Sequence, residues 1–246
     1  MIRTRSLGLR YAGGPALGFP DLDVPQGGVL LLQGDSGCGK STLLALLAGL
    51  LQPSQGSATV GGAELQALSA SQRDAWRARQ LGFMPQRLHL SASLTVADNL
   101  ALPYFCAGLP VDQDRIAAVM HRLGLNGLAT RHPRALSVGQ AQRVALARAV
   151  VRSPQVLMAD EPTASLDDLQ ARAVIELLHQ TATSTGATLV LATHDARVVA
   201  WFAEGDGTRV QHVRLEPHEE TPGRPQFPQA PQGADDAGRR PGGALP

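Results

Sequence analysis

Val29-Leu30-Leu31-Leu32-Gln33-Gly34-Asp35-Ser36-Gly37-Cys38-Gly39-Lys40-Ser41-Thr42 is the stretch on which the reading of this chain turns. The four apolar residues predict a buried strand, the segment Gly34 to Gly39 a glycine-rich turn, and Ser41 to Leu51 a helix closed by Pro53. A strand, a loop of the form G-x-x-x-x-G-K-S and a helix in that order make a phosphate-binding loop. The glycines let backbone N–H groups of Gly34, Asp35, Ser36, Gly37, Cys38 and Gly39 turn inward on phosphate oxygens, and the helix start adds its partial positive charge. Lys40 reaches the β- and γ-phosphates, Ser41 offers a hydroxyl to magnesium, and Thr42 completes the motif.

The basic residues sharpen that reading. Of the 22 lysines and arginines, Lys40 is the only lysine. Compositional drift accounts for the missing lysines but not for the place of the one that stays. A compact ammonium on a flexible stem fits a tight loop that a planar, forked guanidinium cannot enter.

The rest of the composition removes other classes. With 246 residues and 43% hydrophobic positions the chain can bury a core without metal or disulfide, and two distant cysteines, Cys38 and Cys106, suit a reducing compartment such as the cytoplasm. A net charge of +1 without basic runs gives no footprint for nucleic acid or an anionic membrane surface. The N-terminus lacks the apolar core of a signal peptide, and the longest apolar stretch, Leu43 to Leu51, is too short to span a bilayer.

Further strands are predicted at Val156 to Ala159 and Thr188 to Ala192, each apolar throughout and entered from a turn residue, as in a buried parallel sheet. Between them, Ala171, Val174, Ile175 and Leu178 mark a helix over Asp168 to Gln180, so strand and helix alternate in an α/β arrangement. From about Arg87 to Arg134 the candidate helices, Val96 to Phe105 and Asp112 to Leu123, come without a strand and read as a helical insertion. From Glu216 onward Pro, Gly and polar residues dominate, which predicts a disordered tail over 216–246.

Val156-Leu157-Met158-Ala159 ends in Asp160-Glu161. A buried strand delivers its last side chains to the crevice at the sheet's C-terminal edge, where ligands of open α/β sheets bind. Asp160 can hold magnesium directly or through water, and Glu161 can orient and deprotonate an attacking water, the two needs of phosphoryl transfer beside a phosphate loop.

With these residues in view the chain resembles the ATP-binding domains of ABC transporters. Leu136-Ser137-Val138-Gly139-Gln140 is similar to that family's LSGGQ signature, with Val138 at a position where LSxGQ variants occur, and the helix Ala141 to Val151 follows it. The resemblance assigns Gln86, after the strand Gly82-Phe83-Met84, to the Q-loop and to the magnesium ligands, and Ser165-Leu166-Asp167 to the D-loop. It makes His194 the switch histidine and Tyr11 the ring stacked on adenine. It covers about residues 2–214 and implies a phosphate-loop NTPase core with a mostly parallel sheet, an N-terminal antiparallel β portion and a helical signature subdomain at about 87–150, all within one domain over 1–215.

It further implies a head-to-tail dimer that binds two ATP molecules with Mg2+, each between the phosphate loop of one copy and the signature of the other, with Ser137 and Gly139 on the γ-phosphate, and it counts Gln140 and Asp167 among the nucleotide-binding residues. The implied partner is an integral membrane permease, with the chain held peripherally on the inner face of the cell membrane and no nucleic acid involved. Leu94-Thr95-Val96-Ala97-Asp98-Asn99-Leu100 with Leu102-Pro103 resembles the lipoprotein-release and macrolide-efflux branch, although Pro85 replaces an aromatic usual there. The alternative is a regulatory ATPase of the same family that controls a membrane-bound cell-envelope machine without transport. Soluble relatives acting in translation or DNA repair carry two cassettes or a long coiled-coil insertion, and a phosphate-loop kinase lacks the signature.

Overall fold

The computed structural model describes residues 1–11, 16–164, 166–204 and 209–216. The expected tail, apart from Glu216, and Ser165 of the D-loop segment lie outside the described residues. The chain opens with β1 (Ile2–Arg10), β2 (Ala16–Gly18), β3 (Asp23–Val24), β4 (Val29–Gln33), α1 (Lys40–Leu47), β5 (Gln55–Val60) and β6 (Ala63–Glu64). It continues through α2 (Ala70–Gln80), β7 (Leu81–Met84), α3 (Val96–Cys106), α4 (Gln113–Arg122) and α5 (Val138–Val150). It closes with β8 (Val156–Asp160), α6 (Asp168–Thr185), β9 (Thr188–Thr193), α7 (Ala196–Ala203) and β10 (Val210–Arg214).

Two sheets result. β1 pairs antiparallel with β2, β3 and β5, and β5 with β6, which is the N-terminal antiparallel portion. The second sheet runs β10-β4-β9-β8-β7 with every pairing parallel. Its inner strands β4, β8 and β9 are apolar along most of their length because both faces are covered, whereas the edge strand β10 is largely polar. Successive side chains of a strand point to opposite faces, and here they enter two different cores. Leu31, Leu157, Ala159, Leu189 and Leu191 pack with the helical side, whereas Leu30, Leu32, Val156, Met158, Val190 and Ala192 pack with α1 and the antiparallel sheet.

The segment between β7 and β8 contains α3, α4 and α5 and no strand, as expected for the insertion. Gly82 shows how tightly it is fastened: a Cβ there would come within 2.3 Å of the Ala149 carbonyl oxygen on α5. Among the described residues no helix is long and apolar enough to cross a membrane.

Helix ends differ from the sequence expectation for local reasons. α1 stops at Leu47, not Leu51, because Gly49 takes φ 64° and its N–H bonds the Leu46 carbonyl, so the chain turns before Pro53 acts. α6 runs to Thr185 until Gly186, at φ 67°, ends it. α5 begins at Val138, three residues earlier than the stretch Ala141 to Val151, because Ser137 and Gln140 form a reciprocal capping box.

Candidate active site at the edge of the parallel sheet

The parallel register decides where the chemistry meets. Gln33 is level with Thr193, Asp160 with Ala192, and Met84 with Ala159. Four neighbouring strands therefore end together, and the residues just beyond them (Gly34 onward, His194, Glu161 and Gln86) share one crevice mouth.

The phosphate loop is shaped by its glycines. Gly39 has φ 96° and forms the N-cap of α1, a left-handed conformation that a side chain would strain. Gly34 is crowded, since a Cβ would approach Cys38 Sγ to 2.5 Å and the Leu215 carbonyl oxygen to 2.6 Å. Lys40 is 7% exposed; its Nζ donates to the carbonyls of Gly34 at 2.7 Å and Asp35 at 3.0 Å, and pairs with Glu161 Oε1 at 3.3 Å. Tyr11, exposed, places its hydroxyl 3.1 Å from Thr42 Oγ1, at the start of α1.

Ser41 Oγ donates to Asp160 Oδ2 at 3.1 Å, while Asp160 Oδ1 is buried with no hydrogen-bond partner. Burial pushes the Asp160 carboxyl above its ordinary value, against the lowering effect of the Ser41 bond; Glu161 raises it further and Lys40 opposes. An orphaned, buried carboxylate oxygen next to a hydroxyl is a donor set of hard oxygens, which fits a magnesium ion.

Glu161 adopts φ 47°, a left-handed backbone that a glutamate rarely takes. Its N–H is fastened to the Ala192 carbonyl on the adjacent strand at 2.8 Å, which pays for that strain. The side chain, 11% exposed, is held on both sides: Lys40 on Oε1, and on Oε2 the ring Nδ1 of His194 at 2.9 Å with the His194 N–H at 3.3 Å. The His194 side chain is itself largely exposed.

A family model described as ABC transporter matches residues 19–164. The chain belongs to the ABC transporter family. It is an ABC ATPase domain. Among curated relatives, the macrolide export ATP-binding/permease protein MacB 1/2 of Paracoccus denitrificans is 40% identical over 206 residues, 81% of this chain and 31% of that protein. The methionine import ATP-binding protein MetN 1 of Burkholderia pseudomallei is 42% identical, over 81% of this chain and 59% of its own length. The chain thus spans only a part of these relatives. A lipoprotein-releasing system ATP-binding protein, LolD of Pseudomonas syringae pv. tomato, is 37% identical over 79% of this chain and 88% of its own length. The dimeric bacterial ABC transporter cassette MJ0796 superposes with a TM-score of 0.74 at 27% identity, covering 91% of this chain and all of that one. The same cassette bound to ADP and Pi after hydrolysis gives 0.74 at 26% identity.

Of the ABC residues expected from the sequence, the fold joins Lys40, Glu161 and His194 in one chain of contacts and sets the Ser41–Asp160 and Tyr11–Thr42 pairs one residue along the sequence from it or from each other. Gln86 stands exposed beyond β7, on the same edge but outside that network. The signature is elsewhere: Ser137 Oγ accepts from the Gln140 N–H at 3.3 Å and the Ser137 N–H bonds Gln140 Oε1 at 3.0 Å, so these two residues satisfy each other. Val138 is 64% exposed, and the Cβ position of Gly139 faces open space. Asp167 caps α6 by accepting from the Gln170 N–H at 2.8 Å.

Sequence reading passed over Thr163, Asp195 and Arg197. Asp195 accepts hydrogen bonds from Thr163 Oγ1 at 2.7 Å and from Arg197 Nη2 at 2.7 Å. Those bonds hold its carboxyl down at about 2. His194-Asp195-Ala196-Arg197 gives no pointer to that network, because an Asp at a helix start reads first as an ordinary N-cap, which it also is.

Proposed function

We propose that this chain binds Mg-ATP and hydrolyses it in a head-to-tail dimer, driving a separate integral membrane permease on whose inner-face side it is held. The observation that carries the reading is the junction of Lys40, Glu161 and His194, made beside the Ser41–Asp160 pair at the level ends of four parallel strands. In this reading Tyr11 stacks on adenine, and the N–H groups from Gly34 to Gly39, with Thr42, hold phosphate oxygens. Lys40 turns from the loop carbonyls to the β- and γ-phosphates, neutralising charge on the transferring group.

Ser41, Asp160 and Gln86 would hold Mg2+, which supplies charge neutralisation on the phosphate oxygens when bound. Glu161 orients the attacking water and takes its proton, and His194, already hydrogen-bonded to Glu161, holds the γ-phosphate and that water in line. Ser137, Gly139 and Gln140 close on the γ-phosphate bound by a second copy, where the exposed N-terminus of α5 adds its N–H groups, and Asp167 lies at the same interface.

The partner surface falls on the helical insertion. A cavity of about 310 Å³ between α2, β7, α3 and the end of α5, where Leu81, Phe83, Leu102 and Pro103 stand with Arg79, Arg148 and Arg152, offers a groove of mixed apolar and basic lining for a helix of the permease. The names of the relatives in lipoprotein release and macrolide export support that branch, as does the likeness of Leu94 to Pro103.

Phosphate release by the full chain with Mg-ATP tests the core of the reading. Hydrolysis should rise more than linearly with protein concentration, because each site borrows Ser137 and Gly139 from another copy. A strictly linear dependence at dilutions where the chain is monomeric contradicts the shared site. Affinity purification from membranes, with the bound chain identified by mass spectrometry, tests the permease.

A further inference from the structure

We propose that Arg197 is a positioning residue that locks the Glu161–His194 pair to the segment 166–168, so that the seating of this segment against a second copy sets the geometry of the hydrolytic pair. The inference rests on the reading of the site as a dimeric ATPase.

Glu161 and His194 follow neighbouring strands and touch directly. Two residues beyond Glu161, the buried Thr163 donates its hydroxyl to Asp195 Oδ2 at 2.7 Å, and Asp195 is the residue after His194. The two loops are therefore laced twice, and the carboxylate of Asp195 is the second lace. Arg197 holds that carboxylate through two nitrogens, Nε to Oδ1 at 3.0 Å and Nη2 to Oδ2 at 2.7 Å, the planar fork that lysine cannot reproduce. The third nitrogen, Nη1, points the other way. It donates to the Leu166 carbonyl at 3.2 Å and pairs with Asp168 Oδ1 at 2.7 Å.

The chain between these points is short and turned. The Ala164 N–H bonds the Glu161 carbonyl at 3.1 Å and the Leu166 N–H bonds the Thr163 carbonyl at 3.2 Å. A displacement of the segment 166–168 is thus passed to Arg197, from Arg197 to Asp195, and from Asp195 to His194 and Thr163. Asp168 is 90% exposed on its side chain, so the outer end of the clamp is open to a second copy while the inner end is fixed. An exposed ion pair by itself contributes little to stability. The bidentate grip on a half-buried carboxylate shared with Thr163 is a geometric constraint of another kind.

The test is kinetic, on the full chain with Mg-ATP at a temperature well below each variant's melting point. Arg197→Ala should lower kcat by about tenfold or more, as expected when a reacting pair is displaced, and leave KM and the affinity for a fluorescent ATP analogue within about twofold. Arg197→Lys should recover only part of kcat. The double variant Asp195→Asn with Arg197→Ala should be no slower than the worse single one, since both cut the same link. Thr163→Val, which removes one hydroxyl, covers the case in which an Arg197 variant does not fold, and should lower kcat in the same selective way.

A kcat within about twofold of the unaltered chain in Arg197→Ala or Thr163→Val, a proportional loss of nucleotide binding, or additive losses in the double variant would each overturn the clamp. Absence of hydrolysis by the unaltered chain would instead overturn the ATPase reading and the clamp with it, so the two failures are told apart by the first measurement.

Discussion

The end of the parallel sheet and the start of α5 each present a helix start beside small polar side chains, yet they are built in opposite ways. At the sheet edge the key side chains are spent on each other: Lys40 is 7% exposed, Glu161 11%, and both are bound within the chain. At α5 the signature faces outward, with Val138 64% exposed and open space beside Gly139. The contrast is between a side-chain network closed within the chain and a helix start that the same chain leaves uncovered, as the proposed shared site requires. Solved relatives are dimers, in agreement with that division.

The most severe way to break the contrast is at the sheet edge. Glu161→Gln keeps the size of the side chain and its hydrogen bond to His194 but cannot take a proton. Steady-state hydrolysis should fall by about 100-fold or more, the usual weight of a general base, while ATP binding persists and an ATP-bound dimer accumulates in size-exclusion chromatography. Near-normal turnover would remove Glu161 from the role.

At α5 the expected effect is smaller and of split sign. Gly139 lies within a helix, not at a left-handed position, and its Cβ would meet nothing within 4 Å. Gly139→Ala should therefore raise the stability of the isolated chain by about 0.5–1 kcal/mol while, in the proposed dimer, it lowers hydrolysis, because there the added methyl group would face the nucleotide of the second copy. Ser137→Ala should lower both, since its cap contributes about 1 kcal/mol. Chemical denaturation and phosphate release on the same samples check the pair; a Gly139→Ala chain that hydrolyses ATP normally would mean that α5 does not face nucleotide.

The difference between the two regions also explains what could be read from sequence. β4, β8 and β9 were legible because strands covered on both faces are apolar runs, and the phosphate loop because its glycines and lysine stand at fixed offsets. Asp160 and Glu161 follow from the strand that carries them. The Arg197 network was not legible: its members, Thr163, Leu166, Asp168, Asp195 and Arg197, come from two loops that meet only because β8 and β9 are neighbours. Nor does any pattern announce Asn99, fully buried in α3, which organises the loop after Gln86 by bonding the Ser91 N–H and the carbonyls of Ser91, Leu94 and Thr95. Such partners are chosen by tertiary placement, which leaves no periodicity in the chain.

The smallest expected effect compares two carboxylates within the sheet edge itself, Asp160 and Asp195, which titrate in opposite directions from an ordinary value of 3.8. Asp160 is raised by burial, so the folded chain holds that proton more tightly than the unfolded chain does. As pH rises through the window above 3.8 the unfolded state ionises first, and stability is lost there; at neutral pH the ionised Asp160 is a cost. Asp160→Asn should then melt higher than the unaltered chain at neutral pH, with the gap closing as pH falls toward 3.8. Asp195 is lowered to about 2, chiefly by the Arg197 bonds, so its contribution is present in full above 3.8 and is lost as pH falls toward about 2. Asp195→Asn should melt lower at neutral pH and converge with the unaltered chain only in acid. The Asp195 shift amounts to a few degrees, since one kcal/mol moves the midpoint of a domain this size by about 2–4 °C, and for Asp160 the sign is the test. Melting curves of both variants between neutral pH and the acid limb decide the matter. Shifts of the same sign would mean that Asp160 is not held at a cost, and the fit of its orphaned oxygen to a metal would lose its support.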